Sequence, residues 1–268
     1  MPAVSPLEAI LRRDRAVVSV GLILVAGLAW CYLLYLAWVM QNSMDAGSMP
    51  MGMNLAMSQV RAWAAIDFIL MFTMWSVMMT AMMVPTAAPT ILTFATINRK
   101  RLEKRQPFVP TTTFVLGYVL VWVGFAAAAT LAQWVLNAGA MLSPTMASAN
   151  PFVGGSLLIT AGLFQWSSIK YACLKHCRSP LGFFMTEWRE GPKGALVMGL
   201  RHGTFCLGCC WILMALLFVL GVMNLLWIAV LASFVLFEKV APKGHGVSRV
   251  TGLLLFAWGL WMIVAALL

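Results

Sequence analysis

Seven stretches of this chain, near residues 17–40, 63–84, 111–136, 152–172, 195–220, 222–240 and 248–268, are each apolar over about the length a bilayer-spanning helix needs. Backbone amides inside lipid must be satisfied within their own segment, so each stretch reads as a helix. Hydrophobic residues make up 62% of the chain and charged ones 10%, which excludes a soluble globular domain. The expected fold is an all-α, polytopic transmembrane bundle of about seven spans, one domain over residues 1–268. A Met-rich outer loop at 41–61 and an inner Cys-containing loop with an interfacial helix at 171–193 interrupt it.

A formal net charge of +10 would suggest nucleic acid for a soluble protein. Here the placement of the charges matters more than their total, and no nucleic-acid role is expected. Counted along the seven stretches, 17 of the 18 Lys and Arg fall on one side, with Arg61 alone opposite. The positive-inside rule then puts the N-terminus in the cytoplasm and the C-terminus outside, and an even number of spans would spoil the separation. The first stretch exceeds the apolar core of a signal peptide, and no small-residue cleavage site follows it, so it reads as a retained helix.

Within the fifth stretch, Met198, His202, Cys206, Cys210 and Met214 recur every fourth residue and form one helical stripe of sulfur and imidazole. Cys209 stands beside it. Thiolate, thioether and imidazole suit Cu(I), and thiolate and imidazole also suit zinc. A buried Cys or Met is by itself more often a packing residue; a stripe that includes His202, with Arg201 at its inner end, raises the odds of function. In the second stretch Met71, Met74, Met78 and Met82 share a helical face. Counting 1.5 Å per residue from Trp63 and from Ala195 puts Met74–Met82 level with His202–Cys210, so contact between those two helices would make a mixed Met/His/Cys site. Pro85 and Pro89 should bend or end the second helix. Asp67 at its start reads as a partner for Arg61 or as a residue that admits cations.

Weaker signals surround this core. Met49, Met51 and Met53 alternate in the outer loop, where exposed thioethers suit capture of Cu(I). Cys173 and Cys177 flank His176 at near-ligand spacing, but no second pair accompanies them. Residues 181–193 mix aromatics with charges and read as lying along the inner interface. Glu238 beside Lys239 reads as an interfacial ion pair of little energy, and His245 as an exposed loop residue.

Four motifs in order, Met78-Met-x-Ala-Met-Met-x-Pro85, Cys173-x3-Cys177-Arg-x-Pro180, Arg201-His-Gly-x-x-Cys-x-Gly-Cys-Cys210 and Met223-Asn-Leu-x-Trp227 followed by Glu238-Lys239, resemble those of bacterial integral membrane proteins labelled predicted metal-binding. Some of that family carry the name copper chaperone. The resemblance implies a multi-pass protein of the bacterial inner membrane. Together with the donor residues it favours a non-enzymatic copper handler that binds Cu(I) through His202, Cys206, Cys209, Cys210, Met74, Met78 and Met82. Such a protein would supply or accompany a membrane copper enzyme as an accessory subunit. Zinc is the alternative wherever Cys and His dominate. Two further readings stand beside it: a thiol-disulfide oxidoreductase using Cys206 and Cys209, whose C-x-x-C spacing is common in redox enzymes, and a metal-free structural subunit of a larger membrane complex.

Overall fold

The computed structural model describes residues 6–46, 63–104, 109, 111–139, 150–241 and 244–268. Met49, Met51, Met53 and Arg61, and with them the expectations for capture in the outer loop, lie outside the described residues. The described chain is helical: α1 (Pro6–Ala46), α2 (Ala65–Glu103), α3 (Thr111–Ala138), α4 (Pro151–Phe164), α5 (Ser168–Arg178), α6 (Pro180–Glu187), α7 (Gly191–Ala215), α8 (Leu217–Leu220), α9 (Leu225–Val240) and α10 (Gly244–Leu267). Among the described residues five helices are long and apolar enough to cross a membrane, and a sixth span results if α4 and α5, bent by 64° at their junction, count as one. At 16 residues α9 is shorter than the expected span.

Small residues decide which helices touch. A Cβ on Gly199 of α7 would meet the Phe114 carbonyl oxygen at 2.1 Å, and one on Gly117 of α3 would meet the Leu196 carbonyl oxygen at 2.4 Å. The two backbones are therefore in direct contact, the close approach that glycines permit between helices in lipid. Gly155 and Gly162 of α4 close in the same way on Gly259 and Gly252 of α10. Side chains such as Ile23, Trp38, Leu131, Leu254 and Trp261 stay exposed on the outside, as a bundle facing acyl chains requires.

Two expectations about backbone path need correction. α2 runs unbroken through Pro85 and Pro89 to Glu103. Within this helix the Thr86 hydroxyl donates to the Met83 carbonyl at 2.8 Å and the Tyr118 hydroxyl donates to the same oxygen at 2.9 Å. The region 171–193 is largely helical rather than a loop. Ser167 caps α5 by accepting from the Ile169 amide at 3.1 Å, and α5 packs against α7. α6 then turns Phe183 and Phe184 into the core, where Phe184 packs on Phe94 and Phe114 and Phe183 on His202.

Candidate metal centre

α7 presents its stripe inward: Met198, His202, Cys206, Cys210 and Met214 are all buried, as is Cys209. The reason is the Gly199–Gly203 edge of the same helix. Gly203 faces Val121 and the Tyr118 carbonyl as Gly199 faces Phe114, and this contact with α3 brings the Tyr118 side chain over Cys206. The Tyr118 oxygen lies 3.1 Å from Cys206 Sγ. α5 closes the other side, where Cys173 Sγ sits against Gly208 so tightly that a Cβ there would lie 2.7 Å from it. One turn further along α5, Cys177 is buried.

Cys177 and Cys210 each lie near enough to Cys206 and Cys209 for the side chains to act on one another. The four thiols are thus arranged as a ring of neighbours, Cys206 and Cys209 each lying near both Cys177 and Cys210. The Cys209 and Cys210 thiols also donate to the Cys206 carbonyl, at 3.0 and 3.1 Å. All four are free cysteines. As they stand, no group of three or more His, Cys, Asp or Glu among the described residues is arranged to hold a metal ion. A tetrahedral cage of the kind structural zinc takes is thus not preformed among the described residues.

Cys206 also has a cationic neighbour. Lys239, near the end of α9, is buried and donates from Nζ to Thr86 Oγ1 at 2.8 Å and to Cys206 Sγ at 2.9 Å. Glu238 does not pair with Lys239 at an interface. Both its oxygens accept from Lys170 Nζ at 2.8 Å, and Ser248 donates to it at 2.5 Å. Lys170 and Glu238 are both fully buried, and Lys170 also donates to Gln165 beside the α4–α5 bend. Consecutive residues of a helix point about 100° apart, so Glu238 reaches one side of α9 and Lys239 another.

The remaining candidates divide. His202 is buried with its ring among Phe114, Tyr118 and Phe183, and its Nδ1 has no hydrogen-bond partner. It lies one turn from Cys206 on the same face. Met74, Met78 and Met82 are fully buried, together with Met71, Met79 and Met83, but at another level than expected. The Trp75 ring packs 5.1 Å from Phe218, while Met83 and Thr86 stand opposite Cys206. The thioethers consequently line the stretch between the thiols and the Leu220 end of α7–α8. The count from assumed helix starts missed this relative height. α3 packs against both α2 and α7, so it joins the thioether helix to the thiol helix.

His176 turns away from the thiols, its ring stacked 4.1 Å from Phe205 and its Nδ1 2.9 Å from the Ala172 carbonyl. Asp67 Oδ2 accepts the Ala64 amide at 2.8 Å, ahead of the first turn of α2. Sequence reasoning underrated Cys177, whose pairing needs the α4–α5 bend, and missed Tyr118 and Thr86, which no pattern marks. Lys239 left one signal, a charged residue next to an apolar run.

No curated protein and no solved structure matches the chain. Residues 72–262, which take in the four-thiol ring, Tyr118, Lys239 and the methionine column, match the family model PpoB2, described as copper chaperone, and the chain belongs to that family.

Proposed function

We propose that this protein is a membrane copper carrier that holds Cu(I) between thiols of the Cys177–Cys206–Cys209–Cys210 ring and passes it to a membrane copper enzyme. The observation that carries the reading is the convergence of four reduced thiols, drawn from two helices, in the buried core. Soft thiolates select Cu(I), and two of them suffice for linear coordination, so a ring of adjacent pairs suits this ion without a complete cage. It also offers several overlapping pairs, between which an ion can shift without leaving sulfur. Met74, Met78 and Met82 supply thioethers on the side toward Leu220, along the path by which an ion would arrive, and Met49, Met51 and Met53 collect it first. His202 is a reserve donor one turn further along. Seven spans, with α9 as the short one and the N-terminus in the cytoplasm, complete the arrangement and place the thiols in the inner half of a bacterial inner membrane.

The test is metal binding by the purified full chain in detergent, titrated with Cu(I) under a competing chelator. Wild type should retain Cu(I), and the C206S and C209S variants should lose it. C177S should weaken binding as strongly as C210S, although Cys177 lies on another helix. Near-zero copper in wild type and variants alike would end the proposal. Quinone-dependent thiol oxidation that disappears in C206S would favour the redox enzyme instead, and co-purifying subunits without metal would favour the structural role.

A further inference from the structure

The buried ammonium against Cys206 has no part in holding a metal, and burying it is costly unless it is paired. Its partners are uncharged or sulfur: Thr86 Oγ1 at 2.8 Å and Cys206 Sγ at 2.9 Å, with Tyr118, Cys209 and Cys177 next nearest. The adjacent carboxylate cannot serve it, because Glu238 is engaged by Lys170 and Ser248. The negative charge that Lys239 faces must therefore come from the thiol ring.

We propose that Lys239 is the residue that fits this site to a soft monovalent cation and against divalent ones. The inference rests on the reading of the ring as a Cu(I) site. When two thiols each give up a proton and bind one Cu(I), the two thiolates and the ion together carry a single negative charge, which the Lys239 ammonium neutralises. A divalent ion on the same two thiolates gives a neutral complex and leaves the ammonium unpaired in a medium where an isolated charge is strongly disfavoured. Three thiolates around a divalent ion would balance the lysine and four would exceed it, but no group of three or more such donors among the described residues is arranged to hold an ion. On a pair of thiolates the monovalent ion closes the charge balance and the divalent one does not. Thr86 and the Met83 carbonyl, which orients Tyr118, fix the geometry: the first holds Nζ toward Cys206, and the second holds the phenol beside the same sulfur.

The experiment measures Cu(I) affinity against a competing chelator and Zn(II) affinity separately, on full-length wild type, Lys239→Arg, Lys239→Met and Lys239→Gln. Gln keeps a donor for Thr86 without the charge, so it stands in should the Met variant fail to fold. The neutral variants should bind Cu(I) more weakly by about tenfold to a hundredfold, the worth of a hydrogen bond to a charged group. Zn(II) affinity should hold or rise, and Arg should keep most of the selectivity. Neutral variants that bind Cu(I) as tightly as wild type, or that lose both metals in equal proportion, overturn the assignment, and so does a wild-type protein that prefers Zn(II). A wild type that binds no Cu(I) at all refutes the carrier reading itself, which separates the two failures.

Discussion

The contact between α3 and α7 carries the site, and Gly199→Ala tests it. The added Cβ would lie 2.1 Å from the Phe114 carbonyl oxygen, 3.0 Å from that carbonyl carbon and 3.1 Å from the Gly117 Cα. All three are backbone atoms, so no side chain can swing aside and the helices themselves must part. Overpacking relieved by backbone movement of roughly 1 Å costs about 1–3 kcal/mol. The same movement takes Tyr118 away from Cys206, where the present separation of 3.1 Å leaves little slack; that adds the worth of a hydrogen bond, about 1 kcal/mol. A total of about 2–4 kcal/mol is expected from one methyl group. The control is Gly124→Ala on α3, whose added Cβ meets nothing within 4 Å. Unfolding of the detergent-solubilised variants, followed by circular dichroism, reads the difference, and Cu(I) binding should fall with Gly199→Ala only. Equal stability of the two variants would refute the reasoning, because it would mean that the glycines do not set the helix spacing.

Two other perturbations probe the rest of the bundle. Lys170→Met leaves Glu238 buried without its cation and should cost about 3–5 kcal/mol, while the double change Lys170→Met with Glu238→Leu should recover most of the loss; a double variant no more stable than the single would show that the ion pair is not the cause. Trp75→Phe deletes the 2.6 Å bond that the indole donates to Gln133 and should cost about 0.5–1.5 kcal/mol in thermal unfolding; a variant as stable as wild type would show that this bond contributes nothing.

The helical class was legible in hydropathy because length and apolar content alone decide it. The α7 stripe was legible too, since a spacing of four residues is a property of one helix and needs no neighbour. What sequence could not supply was anything set between helices. Cys177 joins the ring only because the chain bends by 64° after Phe164 and lays α5 on Gly208; on sequence it belonged to a loop. The depth of Met74–Met82 failed for a related reason. Rise per residue is fixed, but the relative height of two helices is set by where each starts and by the glycine contacts along α3, which a count along the chain does not contain. Glu238 and Lys239 looked like partners because they are adjacent, whereas adjacency on a helix turns side chains to different sides.

That last geometry ties the pocket together. α5 brings Cys177 to the ring and also brings Lys170 to Glu238, while α7 brings Cys206, which Lys239 holds. Two successive residues of α9 thus grip the two helices that supply the thiols, one through a carboxylate and one through an ammonium. The separation of Cys177 from Cys206 is then not left to apolar packing, which is adaptable in a methionine-rich core. It is set by two directional polar contacts about 100° apart around one helix. Glu238 is closed by Lys170 and Ser248, so of these two successive residues of α9 it is Lys239 that faces the thiols.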